Sequence, residues 1–178
     1  MRYLQLLALL CLFACQQPVT RTWKNDFSET LPLLGHRNWI VVSDKAFPQQ
    51  NTPGIVYINT NDSLLPVLQY VMQELKAAGH VKPVIYQDKE LAFLTDNDAP
   101  GVKKLSGDVA ALLQGQPVNT LLHDSVFAKL DATAGLFKVV VLKTNELVPY
   151  SSVLLQLDCA YWNPEKEAAL RAKMATDK

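Results

Sequence analysis

The sequence is poor in the residues that mark several large classes of protein. Three cysteines in 178 residues are too few for a disulfide-stapled scaffold. The 17 Lys and Arg residues only balance the 17 Asp and Glu residues, which excludes nucleic-acid binding driven by net charge. No apolar run reaches the roughly 20 residues of a spanning helix, which excludes a polytopic membrane protein. No Cys or His pair has zinc-site spacing and no glycine-rich loop opens a helix, so we expect neither a metal ion nor another cofactor.

What the chain does have is an apolar start. Arg2 gives a short positive beginning, and Tyr3 to Ala14 are almost wholly apolar but too few to span a bilayer. The segment Leu12-Phe13-Ala14-Cys15 resembles the bacterial lipobox, in which cleavage leaves the cysteine as the lipidated first residue. The alternative is an ordinary signal peptide with a buried cysteine. Cys159, alone in the rest of the chain, is predicted to be a small core residue.

This start predicts the organisation and location of the protein. We expect a lipoprotein signal peptide at 1–14, lipidated Cys15 and a polar tether at 15–22, and a single domain at 23–178. Several acyl chains would hold the protein firmly on a membrane. The predicted location is therefore the bacterial cell envelope, with the domain anchored by lipid and facing the periplasm.

The body of the chain alternates short apolar runs with segments of helical periodicity. Strands are predicted at 39–42, 55–58, 83–86, a short segment reaching Leu122, 137–142 and 152–157. Helices are predicted at 63–78, 102–113, 124–134 and 164–178, with a helical turn at 88–94. This alternation predicts a three-layer α/β/α domain with a mainly parallel sheet. Ligands of such sheets bind beyond the carboxyl ends of the strands, so polar residues there are candidates for a site.

Several chemically capable residues flank the predicted strands. His36 precedes the first strand, Asp44 follows it, and His123 closes the short extended segment. Tyr150 and Ser152 lie in a polar loop before the last strand. Considered singly, these residues also suit structural roles: a capping histidine, a turn-forming aspartate, and a histidine followed by Asp124, which can cap the next helix.

Together these residues resemble a known family. Gly35-His36, an aspartate eight residues later at Asp44, and then Phe47-Pro48 are similar to the entry motif of the D-ribose pyranase and L-fucose mutarotase (RbsD/FucU) family. Pro149-Tyr150-x-Ser152 before an apolar strand resembles that family's Tyr-x-Asn signature, with serine in place of asparagine. His123 falls where the ribose branch carries a sugar-binding histidine.

The resemblance implies a cofactor-free isomerase that interconverts cyclic forms of a monosaccharide such as ribose or fucose. It also implies a ring-shaped homo-oligomer with sites near subunit boundaries. His36 would be the proton donor, and Asp44, His123, Tyr150 and Ser152 would bind the sugar. These residue types suit ring opening, which moves one proton to the ring oxygen and another off the anomeric hydroxyl. An imidazole, whose ordinary pKa is about 6.5, can serve in both directions.

The spacing of two of these residues constrains the site. Along a continuous strand, eight steps of about 3.3 Å would separate His36 from Asp44 by roughly 26 Å. Either the chain bends sharply at Arg37-Asn38 or a neighbouring subunit completes the site, and we expect the second. Two other classes of function stay open: a non-catalytic sugar-binding lipoprotein, and a scaffold lipoprotein whose ring has a structural role.

Overall fold

A six-stranded sheet with helices on both faces forms the part of the chain, residues 21–176, that the computed structural model describes. The strands are β1 (Trp39–Ser43), β2 (Ile55–Asn59), β3 (Val81–Asp88), β4 (Val118–Leu121), β5 (Val139–Lys143) and β6 (Val153–Cys159). The helices are α1 (Trp23–Thr30), α2 (Leu64–Ala78), α3 (Val102–Leu112), α4 (His123–Ala134) and α5 (Pro164–Thr176). Short 3-10 helices cover Leu31–Leu33 and Lys89–Phe93.

The strand order is β2-β5-β1-β6-β3-β4. Strand β6 runs antiparallel to β1 and β3, and the other neighbouring pairs are parallel. The prediction of a mainly parallel sheet is therefore confirmed. The connection after β1 leads to β2 at one edge of the sheet, and the connection after β3 leads to β4 at the opposite edge. A crevice opens at the carboxyl ends of two strands whose connections diverge in this way, and β6 starts at its base.

Alternation along the central strands explains the layers. Ile40 and Val42 of β1 face one side of the sheet, where they join a core formed with α1, α2 and α3. Trp39 and Val41 face the other side, where α4 packs. Side chains of a strand point alternately to opposite faces, so a strand buried on both faces reads as a continuous apolar run. Helix α5 buries none of its side chains in the described structure.

Most element boundaries agree with the sequence patterns to within two or three residues. Helix α2 starts at Leu64, so Pro66 falls in the first turn, where a missing N–H breaks no hydrogen bond. It ends at Gly79, whose φ of 67° is left-handed, a conformation that glycine adopts readily at the end of a helix. Helix α1 was not predicted, because its sequence is mostly polar and Phe27 is its one buried side chain.

Two expectations are corrected, and a third concerns residues that the structure does not describe. Cys159 is half-buried at the end of β6 rather than a core residue. Helix α4 begins at His123 itself, so Asp124 does not cap it, and the carboxylate of Glu90 accepts the His123 backbone N–H instead. The signal peptide at 1–14, Cys15 and the tether up to residue 20 lie outside the described residues. No helix within residues 21–176 is long and apolar enough to cross a membrane.

Candidate functional site

A cavity of about 220 Å³ lies at the carboxyl edge of the sheet, between the ends of β1 and β3. We call it the carboxyl-edge pocket. Four of the predicted site residues line it together: Asp44, His123, Tyr150 and Ser152. The sheet register brings them together, because Val153 of β6 pairs with Val42 on one side and Gln87 on the other. Ser152, which precedes Val153, therefore lies between Ser43 and Asp88, the last residues of β1 and β3.

Asp44 uses one carboxylate oxygen to form a turn in the pocket wall and leaves the other largely available to a ligand. Its Oδ1 accepts the backbone N–H groups of Ala46 and Phe47 at 2.9 and 3.0 Å, so the residue does form the predicted turn. The hydroxyl of Ser152 lies 3.4 Å from Oδ2 and also accepts the Asp44 backbone N–H at 3.3 Å. These contacts with serine are long, so Oδ2 retains most of its capacity to accept a hydrogen bond from a ligand.

The floor of the pocket holds an aspartate that sequence reasoning missed. Asp88 ends β3, its side chain is 2% exposed, and its Oδ2 lies 2.8 Å from Nδ1 of His123. Its Oδ1 is buried and has no hydrogen-bond partner among the described residues. Burial raises the pKa of Asp88, and the hydrogen bond from His123 opposes that rise. The signal that could have found Asp88 was its position two residues after the end of a predicted strand.

Aromatic rings form the side walls of the pocket. The ring of His123 meets Tyr150 edge-on at 5.1 Å and Phe127 at 4.8 Å between centroids. Phe127 stacks in turn on Phe47 at 5.3 Å. Tyr150 has a φ of 60°, a left-handed conformation that is rare and costly for a bulky residue and is found most often at functional sites. Apolar faces beside two carboxylates and an imidazole suit a small ligand that carries several hydroxyl groups.

His36 lies away from these four residues. It is exposed in the turn before β1, at the amino edge of the sheet, in a separate depression lined also by Cys159 and Trp162. Arg37 has a left-handed φ of 75°, so the chain does turn here. The five residues of β1 nevertheless separate this turn from Asp44, and such a strand spans about 13 Å. Within one chain, His36 therefore does not reach the carboxyl-edge pocket.

Within residues 21–176, no group of three or more His, Cys, Asp and Glu side chains is placed to hold a metal ion. The chemically capable groups of the pocket are the Asp44 and Asp88 carboxylates, the His123 imidazole and the hydroxyls of Tyr150 and Ser152.

The raised pKa of Asp88 predicts a pH-dependent effect of its replacement. A carboxyl whose folded-state pKa lies above its unfolded value of about 3.8 gives stability that is complete below that value and is lost as pH rises through the folded-state pKa. Asp88→Asn cannot ionise, so its stability relative to the wild type should increase as pH rises from 3.5 to 7. Urea unfolding at both pH values measures this. A relative stability that stays constant or falls would contradict the burial argument.

Solved structures similar to this chain share its fold. The structure of Bacillus subtilis RbsD complexed with D-ribose aligns with a TM-score of 0.54 and 19% identity, covering 74% of this chain and 89% of that one. The fucose mutarotase in complex with L-fucose from Streptococcus pneumoniae aligns with a TM-score of 0.51 and 15% identity, covering 74% and 89%. FucU from Bifidobacterium longum aligns with a TM-score of 0.50 and 14% identity, covering 74% and 91%.

Sequence comparison assigns the chain to a family, whereas the similar structures show only a shared fold. No curated protein sequence matches it. The model of a protein family described as the RbsD / FucU transport protein family matches residues 19–160, which include all six strands and the carboxyl-edge pocket. The chain belongs to the RbsD / FucU family.

Proposed function

We propose that the protein is a cofactor-independent monosaccharide mutarotase or pyranase, which interconverts cyclic forms of a sugar such as ribose or fucose. The observation that carries this proposal is the carboxyl-edge pocket, where Asp44, His123, Tyr150 and Ser152 converge. Membership of the RbsD / FucU family supports it, as do the similar structures that contain D-ribose and L-fucose.

Each pocket residue has a role that its contacts allow. Asp44 accepts a sugar hydroxyl through Oδ2, and Tyr150 offers its hydroxyl and the face of its ring. His123 presents an imidazole nitrogen, and Ser152 a single hydroxyl. An asparagine at position 152 would offer an amide with two donors and one acceptor, so the serine is expected to change which sugar is preferred.

The proposed proton donor, His36, comes from a second copy of the chain. In one chain it is exposed at the sheet edge opposite the pocket. Exposed apolar side chains lie at both edges: Leu122 and Leu147 beside pocket residues, and Leu33 and Trp162 near His36. Clustered exposed apolar surface marks contact sites, and a head-to-tail contact between different surfaces forms a ring when the rotation between successive copies closes. A homo-oligomeric ring would thus bring His36 of one copy to the pocket of the next.

This assembly predicts that a monomer is inactive. Leu147 is 82% exposed in the loop before Tyr150, so Leu147→Glu should leave the fold intact but place a charge in the contact between copies. The variant should elute as smaller species in size-exclusion chromatography and lose activity. Gln69→Glu, at an exposed position in the middle of α2, is the matched control and should keep both size and activity. Full activity in a purified monomer would contradict the shared site.

We propose in addition that the protein is anchored in the bacterial cell envelope by lipid on Cys15, with its domain facing the periplasm. The supporting features are the lipobox-like Leu12-Phe13-Ala14-Cys15 and the short polar stretch before α1. Labelled palmitate should enter the wild type and Cys159→Ala, but not Cys15→Ala, when each is expressed in bacteria. Labelling of Cys15→Ala would contradict the anchor.

Saturation-exchange NMR on residues 16–178 tests the proposed function with ribose, fucose and related sugars. Faster exchange between ring forms in the presence of the protein is the expected result, and the sugar with the largest acceleration is the preferred substrate. A second candidate function is a non-catalytic sugar-binding lipoprotein, favoured by Ser152 in the pocket and by the distance of His36 from it in one chain. Binding without acceleration of any sugar would favour this second function.

A further inference from the structure

We infer that His123 is a second proton-transfer residue of the carboxyl-edge pocket and that Asp88 is the positioning residue that sets its tautomer. This inference rests on the proposed mutarotase function. It assigns a role to the buried carboxylate beneath the pocket and gives His123 a part in the reaction beyond holding the sugar.

The geometry of the pair defines which ring nitrogen can react. Nδ1 of His123 lies 2.8 Å from Oδ2 of Asp88, and an ionised carboxylate can only accept a hydrogen bond. The proton of the neutral ring is therefore held on Nδ1. Nε2, on the other side of the ring, keeps its lone pair and makes no hydrogen bond within residues 21–176. It is the nitrogen left free to take a proton from a ligand in the pocket.

Both the backbone and the ring of His123 are fixed by neighbouring residues, and Nε2 is left available to a ligand. Its backbone N–H donates to both carboxylate oxygens of Glu90 at 3.1 Å, which fixes the start of α4. Its side chain is fixed by Asp88, and its ring packs edge-on against Phe127 and Tyr150. An imidazole with its rotamer and tautomer both fixed is preorganised for proton transfer.

Asp88 is poorly explained as a structural residue. Its side chain is 2% exposed, and one of its two oxygens has no hydrogen-bond partner among the residues that the structure describes. A buried unpaired oxygen opposes folding, and the negative charges of Glu90 and Asp44 nearby also disfavour the ionised form. An apolar residue would fill the same place without these costs. The function of the carboxylate is therefore to be sought in its side-chain hydrogen bond, which is with His123.

The reaction needs two proton-transfer groups, and the site then has two. In ring opening, Nε2 of His123 takes the proton of the anomeric hydroxyl, and the electron pair of that O–H bond forms the carbonyl. The bond between the anomeric carbon and the ring oxygen breaks, and its electron pair stays on the ring oxygen. That oxygen takes a proton from the protonated His36 of a second copy. Asp88 stabilises the imidazolium formed at His123, and ring closure on either face of the carbonyl returns both protons.

NMR of the full chain, labelled with ¹⁵N only in its histidines, tests the geometric part independently of catalysis. The chain has three histidines, so His123 can be assigned by comparison with His123→Gln. With the ring in its neutral form, the wild type should show a proton on Nδ1 and an unprotonated Nε2 for His123. This pattern should weaken or reverse in Asp88→Asn and be lost in Asp88→Leu. A wild-type His123 protonated on Nε2 would overturn the inference, whether or not the protein accelerates any sugar.

Steady-state kinetics with the same full-length proteins test the catalytic part. Asp88→Asn and Asp88→Leu should lower kcat by about 10²-fold or more, while KM stays within about threefold because Asp44 and Tyr150 still bind the sugar. The control Asp108→Asn removes an exposed carboxylate paired with Lys104 and should leave both constants unchanged. An active wild type with unchanged kcat in both Asp88 variants would overturn the inference and leave the proposed function standing. An inactive wild type with the expected tautomer would reject the proposed function, and with it the catalytic part of this inference.

Discussion

His36→Ala is expected to lower the rate of sugar ring-form exchange by about 10²- to 10⁴-fold, the usual contribution of a positioned general acid. Because the His36 side chain is exposed and takes no part in either large core cluster, the free energy of unfolding should stay within about 0.5 kcal/mol of the wild type. Sugar affinity should change little, since the pocket residues remain in place. Saturation-exchange NMR and a sugar titration measure the two effects separately.

The control for this variant is Gln69→Ala, which also truncates an exposed side chain but lies in the middle of α2. It should retain wild-type exchange rates. His36→Ala with undiminished exchange would remove His36 from the mechanism and leave His123, inside the pocket of each chain, as the histidine to be tested next.

Gly54→Ala is expected to cause the largest loss of stability from a single methyl group. A Cβ at this position would lie 1.9 Å from the backbone oxygen of Ala134 and 2.9 Å from that of Phe137. Neither backbone atom can move aside as a flexible side chain would, and the Gly54 carbonyl must also accept the Val139 N–H that aligns β5. We expect a loss of about 3 kcal/mol in the free energy of unfolding, measured in urea.

Gly107→Ala provides the matched control. Gly107 lies within α3, and a Cβ there would meet no atom within 4 Å. Alanine in an exposed helix is preferred over glycine by about 0.5 to 1 kcal/mol, so this variant should be slightly more stable than the wild type. Equal stability of the two alanine variants would show that the chain adjusts at Gly54 and would contradict the close approach.

Sequence patterns predicted the sheet well because the central strands are buried on both faces. A run such as 39–42 is continuous in β-branched and aromatic residues, and in a chain that alternates such runs with amphipathic helices this is typical of a mainly parallel sheet. Helix α1 was not predicted because Phe27 is its one buried side chain and its sequence is mostly polar. Packing against the rest of the fold, rather than amphipathic spacing, stabilises such a short helix.

The candidate site was predicted in part, because the strands that position it were predicted. Asp44 and His123 follow strands, and polar residues in that position of an α/β sheet converge at one edge. Asp88 was missed because the predicted strand ended at Tyr86, two residues early, and Asp88 then looked like the start of a helical turn. The left-handed backbone of Tyr150 has no sequence signal, since tyrosine rarely adopts it and tertiary packing must impose it.

We propose that each catalytic site combines His36 of one copy with His123 of another. Coexpression of His36→Ala and His123→Gln with different tags, followed by purification through both tags, is the sharpest test. In a random ring, about one quarter of the sites would pair an intact pocket with an intact His36, so mixed rings should show about one quarter of wild-type exchange while each parent shows almost none. Mixed rings no more active than the parents would contradict the claim.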